Sequence, residues 1–266
     1  MPTPTLLGVP YDAASSFRRG AAGAPSRIRE ALHSPAGNVW TETFVDLSAG
    51  PLRDAGDATI PERGDVLMAI EAAAARVLGD NGSPIALGGD HAITYPLVKA
   101  VRRLHPRFTI LHVDAHPDLY DEFQGDRYSH ACPFARIMEA GLADRLVQVG
   151  IRAMTGHQRD QARRFGVEVI DMQAWYTGSR PMIDGSVYVS IDLDGIDPAF
   201  APGVSHPEPG GLTVRDVIAL VQQLGGPLVG ADIVECNPDV DPNGLTSRVA
   251  AKLVKEIAAR MIGSVT

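Results

Sequence analysis

Three side chains of metal-binding type are grouped in one short segment of the sequence. The segment reads Asp-Ala-His-Pro-Asp and places Asp114, His116 and Asp118 at every second position. Because an extended chain points alternate side chains to opposite sides, all three can face the same point. For any one of them, helix capping or turn formation is an equally good interpretation. Their coincidence favours a metal site.

A second acidic segment repeats this pattern, and a further histidine joins it. Asp192 and Asp194 follow an apolar segment at the same spacing, and His91 follows another through Gly-Gly-Asp at 88–90. The glycines permit an unusual backbone and the close approach of neighbouring chain. Four carboxylates that converge without a cation would repel each other and take up protons. Neither acidic segment contains Lys or Arg, so a bound multivalent cation is predicted.

The number and type of these ligands predict two metal ions. Six ligands are too many for a tetrahedral zinc site, but they suit two ions that share bridging carboxylates. Four carboxylates and two imidazoles favour manganese over zinc, with cobalt or nickel as substitutes in vitro. Two ions about 3.5–4 Å apart can lower the pKa of a shared water, which indicates metal-assisted hydrolysis. The predicted ligands are His91, Asp114, His116, Asp118, Asp192 and Asp194.

Short apolar runs that alternate with amphipathic stretches predict the elements that position these groups. Strands are indicated at 5–9, 84–87, 108–113, 146–150, 167–170, 187–191 and 229–234, and helices at 65–78, 214–224 and about 247–261. Most of the strands are apolar throughout, which is typical of a parallel sheet covered on both faces. The acidic segments follow strands, where open α/β sheets bind their ligands. The predicted fold is a three-layer α/β/α domain, doubly wound around a mostly parallel sheet, and it occupies residues 1–266 as a single domain.

Composition argues against several classes of protein. The 266 residues include 24 basic and 32 acidic side chains, a net charge of −8 without a basic run, so neither nucleic acid nor a membrane surface is an expected partner. The only cysteines, Cys132 and Cys236, are far apart, which excludes a disulfide framework or a cysteine-based zinc site. No targeting segment and no apolar stretch of about 20 residues is recognisable. A cytoplasmic location is therefore predicted.

Longer motifs around these residues resemble the signatures of the ureohydrolase family, which comprises arginases and agmatinases. They are Gly-Gly-Asp-His at 88–91, Asp-Ala-His-Pro-Asp at 114–118 and Ser-Ile-Asp-Leu-Asp-Gly-Ile-Asp-Pro at 190–198. Further segments at 9–20, 128–131, 201–212 and 230–235 are most similar to the plant-type arginases, which are agmatinase-like in sequence. The motifs cover nearly the whole chain in family order. The resemblance implies an arginase-like fold and two Mn²⁺ ions per subunit.

The resemblance also implies how the ligands divide between the two ions. One ion would be held by His91, Asp114, Asp118 and Asp192, and the other by Asp114, His116, Asp192 and Asp194. Asp114 and Asp192 would therefore bridge. The shared hydroxide would attack a guanidinium carbon, and Asp118 would orient it.

Roles outside the metal ligands come from the same resemblance. Glu235 would hold the substrate guanidinium by charge-assisted hydrogen bonds, and His130 would pass a proton to the leaving amine. Ser129 and Asp126 belong to the loop expected to contact the substrate. The implied reaction converts L-arginine to L-ornithine and urea, in a homo-oligomer that is a trimer or hexamer. His112 receives only a supporting or packing role.

Asp126 leaves the choice of substrate open. The plant-type arginases have Asn at this position, two residues before the Tyr of the Tyr-Ser-His motif. A carboxylate there would disturb recognition of the acid end of arginine and suit the free ammonium of agmatine. Agmatine, or another guanidino compound, is therefore the alternative substrate.

Other classes of protein fit the sequence less well. Metallophosphoesterases also use Asp-x-His, but their Gly-Asn-His-Asp element is absent from this sequence. The related deacetylases hold a single zinc ion. A non-catalytic metal-binding subunit is a distant alternative.

Overall fold

The computed structural model describes residues 2–48, 50–62 and 64–263, and its centre is a sheet of eight parallel strands. In spatial order the sheet reads β2-β1-β3-β8-β7-β4-β5-β6, and every pairing is parallel. The strands are β1 (Thr3–Gly8), β2 (Arg53–Asp57), β3 (Gly82–Leu87), β4 (Thr109–Val113), β5 (Arg145–Ile151), β6 (Glu168–Asp171), β7 (Val187–Asp192) and β8 (Leu228–Val234).

Helices cover both faces of this sheet. They are α1 (Ala24–Leu32), α2 (Val66–Gly79), α3 (Thr94–Arg102), α4 (Pro133–Glu139), α5 (Gly156–Phe165), α6 (Met172–Tyr176), α7 (Val214–Gln223) and α8 (Leu245–Ile262). Neighbouring residues of β4 belong to different hydrophobic cores. Leu111 belongs to the core that includes residues of α1, α6, α7 and α8, whereas Ile110 belongs to the core that includes residues of α2, α3, α4 and α5. The predicted three-layer, doubly wound fold is confirmed. Within the described ranges, no helix has both the length and the apolar character needed to cross a membrane.

One strand was not predicted, and the reason is its position in the sheet. β2 reads Arg-Asp-Ala-Gly-Asp, and all five residues are exposed at the sheet edge. Arg29 of α1 forms ion pairs with Asp54 and Asp57 of this strand. Charged residues blunt an exposed edge, but they also remove the apolar pattern by which a strand is recognised.

The four central strands bring their carboxyl ends to one place. β3, β8, β7 and β4 are neighbours, and each of the segments that follow them carries residues of the predicted site. The turn after β3 is tightly packed, because a Cβ atom at Gly89 would lie 1.6 Å from the carbonyl oxygen of Tyr11. Glycine at this position lets the N-terminal loop come close to the site.

Candidate active site

The six predicted metal ligands lie together at the carboxyl ends of the central strands. Nδ1 of His91 is 3.0 Å from Oδ2 of Asp118 and 3.2 Å from Oδ2 of both Asp114 and Asp192. The His91 side chain is fully buried. One imidazole nitrogen therefore faces three carboxylates in a space closed to bulk water.

A second group of ligands lies beside the first and shares a residue with it. Nδ1 of His116 is 3.0 Å from Oδ2 of Asp194 and 3.5 Å from Oδ1 of Asp114. Since Oδ2 of Asp114 faces His91, this carboxylate faces both groups. The backbone N–H of Asp194 donates to Oδ1 of Asp192 at 2.8 Å. The side chain of His116 is 29% exposed, so the second group is the more open one.

Burial and mutual repulsion shift the pKa values of these side chains. Burial, followed by the charges of Asp194 and Asp114, raises the pKa of Asp192 well above its usual value. Burial and the charge of Asp114 also raise the pKa of Asp194 to about 7. Burial alone would lower the pKa of His91, yet contact with three carboxylates raises it well above its usual value. A multivalent cation would satisfy the carboxylates that otherwise retain these protons.

The hydrogen bonds behind His91 decide which ring nitrogen can bind a metal. The hydroxyl of Ser190 donates to Oδ1 of buried Asp232 at 2.6 Å and lies 3.1 Å from Nε2 of His91. Because the Ser190 proton is used on Asp232, its oxygen accepts from Nε2–H. Nδ1 is therefore the nitrogen that gives up its proton and offers a lone pair when a metal ion binds. Nδ1 makes no hydrogen bond to any residue that the structure describes. The residues present therefore fit a metal ion at this atom.

The buried side chains of His112 and Gln148 orient the Asp114 carboxylate through hydrogen bonds. Nε2 of Gln148 donates to the carbonyl oxygen of Pro117 at 2.7 Å and to Nδ1 of His112 at 3.0 Å. Nδ1 of His112 is thus an acceptor, so Nε2–H donates to Oδ2 of Asp114 at 2.8 Å. Burial lowers the pKa of His112, in agreement with a neutral ring. The pair fixes the orientation of the Asp114 carboxylate.

Glu235 and His130 form a pair next to the acidic cluster. Oε1 of Glu235 accepts the backbone N–H of His91 at 2.9 Å and lies 3.1 Å from Nδ1 of His130. Burial opposes the shift, but Glu235 raises the pKa of His130 to about 9. The second oxygen of Glu235, Oε2, is buried and has no hydrogen-bond partner among the described residues. An unpaired buried carboxylate oxygen is costly, so a donor from a ligand or a water in the cavity would stabilise it.

Two of the site carboxylates lie on left-handed backbone. Asp118 has φ of 49° and Glu235 has φ of 63°. Residues other than glycine rarely adopt this region, and such strain is concentrated at functional sites. In both cases the unusual backbone directs a carboxylate into the same cavity.

The cavity above these residues has a volume of about 500 Å³. Its floor carries the Asp192, Asp194 and Glu235 carboxylates, and Tyr120 and Phe123 form part of its wall. Further polar lining comes from Ser16, Arg152, Thr155, Gln158 and His206. A positively charged group with an extended chain behind it matches an acidic floor and a longer, partly apolar wall.

Asp126 and Ser129 lie outside this lining. Asp126 is exposed, and its Oδ1 accepts the backbone N–H of Tyr128 at 2.7 Å. Ser129 is buried, and its Oγ accepts the N–H of Ala131 at 3.4 Å. The other predicted site residues lie together at the carboxyl ends of the central strands. The side chains of Asp126 and Ser129 instead bond to backbone two residues away in the same loop.

Several residues of the site were not predicted from the sequence. Ser16 was part of the N-terminal motif without a role, and His206 was given none. Arg152, whose guanidinium donates to the carbonyl oxygens of Asp194 and Glu208, lies outside every motif recognised in the sequence. All three reach the site through tertiary contacts, and the only signal in the sequence was that Ser16 and His206 lie within family motifs.

Comparison of this sequence and structure with known proteins identifies its family. The model of the Arginase family matches residues 3–259. The chain belongs to the arginase family. It is 47% identical to "Arginase 1, mitochondrial" of Arabidopsis thaliana, over 97% of this chain and 80% of that protein. The solved arginase from Medicago truncatula has 46% identity and a TM-score of 0.93, covering 98% of this chain and 87% of that one.

More distant members of the arginase family carry other names. The guanidinobutyrase of Pseudomonas aeruginosa is 35% identical, over 98% of this chain and 86% of that protein. Membership of the arginase family makes this chain a hydrolase of amidine carbon–nitrogen bonds, and the His/Asp cluster gives it a site that can hold metal. The predicted family and enzyme class are confirmed.

The location predicted from the sequence is contradicted by members of the same family. The arginases of A. thaliana, M. truncatula and Oryza sativa are named as mitochondrial, and a second A. thaliana arginase as chloroplastic/mitochondrial. These names point to an organelle and not to the cytoplasm. The prediction rested on the two isolated cysteines and on the lack of a recognisable targeting segment, and neither observation determines the organelle that a receptor-read signal selects.

Proposed function

We propose that this chain is a binuclear manganese arginase that hydrolyses L-arginine to L-ornithine and urea, with residues 1–266 forming one ureohydrolase domain. The observation that carries the proposal is the unpaired, buried Oε2 of Glu235 on the floor of a cavity lined by the acidic cluster. A guanidinium presents planar N–H groups that match a carboxylate in charge and geometry. Glu235 is therefore the binding group for the end of the substrate that reacts.

The six side chains of the acidic cluster would hold the metal pair. His91, Asp114, Asp118 and Asp192 would hold one ion, and Asp114, His116, Asp192 and Asp194 the other. Contacts of His91 with Asp114, Asp118 and Asp192, and of His116 with Asp114 and Asp194, support this division. Four carboxylates and two imidazoles are an oxygen-rich set that suits Mn²⁺. When bound, such a pair supplies a water-derived nucleophile near neutral pH.

The remaining chemistry falls to residues of this chain. Glu235 fixes the guanidinium plane, and Asp118, on the same cavity floor, orients the attacking water by accepting its hydrogen bond. His130 supplies the proton that the amine needs in order to leave, since it stands beside Glu235 and lines the cavity.

Part of the cavity lining supports arginine over agmatine. Thr155, the N-cap of helix α5, and Gln158 in its first turn both line the cavity. A helix N-terminus carries partial positive charge. The Arg152 side chain adds a positive charge to the lining, and its guanidinium is held by the carbonyl oxygens of Asp194 and Glu208. This potential attracts the α-carboxylate that arginine has and agmatine lacks. The names of the plant relatives point to the same substrate.

A substrate panel tests this function. Protein stripped with a chelator and reloaded with Mn²⁺ is assayed for urea release from arginine, agmatine, guanidinobutyrate, guanidinopropionate and guanidine. We expect arginine to give the highest kcat/KM, and activity to disappear when the metal is removed. The mass of the loaded protein in solution tests the proposed homo-oligomer, a trimer or hexamer.

Two results would contradict the proposal. A higher kcat/KM for agmatine, or for another member of the panel, would reject arginine as the substrate. Full activity in protein shown to be metal-free would reject the metal site. As a matched control, Asp160→Asn changes an exposed carboxylate whose one ion pair among the described residues is with Arg163 of the same helix, so it should leave the panel unchanged.

A further inference from the structure

His130 has a hydrogen-bond partner on each ring nitrogen. Nδ1 lies 3.1 Å from Oε1 of Glu235, and Nε2 lies 2.8 Å from Oγ of Ser16. Oε1 of Glu235 already accepts the N–H of His91, so it acts as an acceptor toward Nδ1–H as well. Nε2 is then the nitrogen that gains and loses a proton, and the Ser16 hydroxyl is its partner.

A hydroxyl suits this position because it can reverse its hydrogen bond. It donates to Nε2 when the ring is neutral and accepts from Nε2–H when the ring is protonated. No other side-chain hydrogen bond to Nε2 of His130 is made within the described ranges. The ring of His206 stacks on that of His130, with centroids 5.1 Å apart, and limits movement of the imidazole.

Ser16 lies on a loop that is tied down on both sides. The backbone N–H of Ala14 donates to the buried carboxylate of Asp90 at 2.9 Å, and the carbonyl of Ala14 accepts the N–H of His130 at 3.3 Å. Further along the chain, Asp12 accepts the N–H of Gly20 at 2.7 Å. The loop is thus anchored to the floor of the site, and Ser16 lines the cavity.

We infer that Ser16 is the proton relay between His130 and the leaving amine, an inference that rests on the proposed function. Both ring nitrogens of His130 are engaged, by Glu235 and by Ser16, and the Ser16 side chain lines the cavity in which the amine would leave. The proton on Nε2 passes to Oγ of Ser16 while the hydroxyl proton of Ser16 passes to the nitrogen of the leaving amine. The N–H bond of the imidazolium and the O–H bond of Ser16 break, and one O–H and one N–H bond form. Ser16 is unchanged, His130 becomes neutral, and the amine leaves protonated at that nitrogen.

The test compares Ser16→Ala with Ser16→Thr in the manganese-loaded protein. Removing the hydroxyl should lower kcat about 10- to 100-fold. This loss is part of the ~10²–10⁴-fold rate enhancement that a positioned proton donor contributes. KM and metal content should stay as in the wild type, because Ser16 contacts neither Glu235 Oε2 nor the ligands. Ser16→Thr keeps a hydroxyl and should recover most of the rate. Ser15→Ala removes a hydroxyl of the same loop that lies 3.5 Å from Oδ2 of Asp90 and is not bonded to His130. It therefore controls for disturbance of the loop and should leave kcat within about threefold of wild type.

A double variant separates a relay from a structural role. In a His130→Asn background, Ser16→Ala should cause no further loss, because residues that act as one unit are not additive. An additive loss, an equal loss in Ser16→Ala and Ser16→Thr, a loss of metal, or a kcat within about threefold of wild type would each overturn the relay. Failure of the proposed function is distinct, since the wild-type protein itself would then release no urea.

Discussion

The floor and the rim of the cavity are built in different ways. The floor, which comprises the six ligands and Glu235, stands at the ends of four adjacent strands, and buried groups such as Gln148 and Asp232 fix its side chains from behind. The rim consists of the loops at 13–20, 120–131 and 204–209. It carries large exposed side chains, among them Phe17 at 64% and Tyr128 at 47% exposure.

This difference separates the chemistry of the site from its selectivity. Buried polar networks tolerate no unpaired member, so the floor can change little without loss of function. Rim loops have few buried contacts and can vary while the scaffold stays intact. We expect changes at the six ligands to weaken or abolish metal binding, and changes at exposed rim side chains such as Phe17 and Tyr128 to alter the choice of substrate. Ser16 and His130 belong to rim loops in the sequence, but they contact Glu235 or its partner and act in the chemistry.

The largest effect should come from a floor residue that faces both metal positions. Asp192→Asn removes a charge that both positions share, so both ions should be lost or greatly weakened. The rate of urea release should then fall by well over ~10- to 100-fold, which is the loss expected when a residue that orients a metal ligand is replaced. Metal analysis after gel filtration measures the occupancy directly. Two ions retained at full occupancy would mean that Asp192 does not bridge.

A smaller effect should come from the groups behind the floor. Gln148→Leu removes the donor to Nδ1 of His112 and frees that ring to present the wrong nitrogen to Asp114. Metal affinity should fall about 10- to 100-fold, the usual effect of losing a group that orients a ligand. A competition titration with a chelating dye measures it. Gln222→Leu, which disturbs contacts to Glu42 and Glu256 instead, should leave affinity unchanged; an equal fall in both variants would make the effect one of general stability.

The smallest effect is expected at Asp126 on the rim. Its carboxylate is exposed, accepts the N–H of Tyr128 and does not line the cavity. Because water screens exposed charges, Asp126→Asn should change the arginine-to-agmatine ratio of kcat/KM by less than about twofold. A shift of about fivefold or more, the size expected for a carboxylate facing the substrate across partly solvated distance, would mean that Asp126 selects the substrate.

The features that could be predicted from the sequence are those set by local pattern, and the features that could not are those set by contacts between distant residues. Seven of the eight strands and the alternation at 114–118 were recognisable because buried parallel strands are apolar and local spacing sets the side of a side chain. Strand β2 could not be recognised, because most of its own residues are charged. It is held by pairing with β1 and by the ion pair with Arg29. Ser16, Gln148 and Arg152 gain their roles from residues far away in the chain. A spacing rule cannot detect such contacts.

The position of β8 has a consequence for how the protein is made. It pairs with β3 on one side and β7 on the other, yet it is the last strand of the described chain to leave the ribosome. Until it inserts, β2-β1-β3 and β7-β4-β5-β6 are two partial sheets with open edges, which are prone to pair with other chains. His91 follows a strand of the first partial sheet, whereas Asp114 and Asp192 follow strands of the second. A nascent or truncated chain that lacks β8 would therefore have no partial activity, and chaperones would have two apolar strand edges to protect.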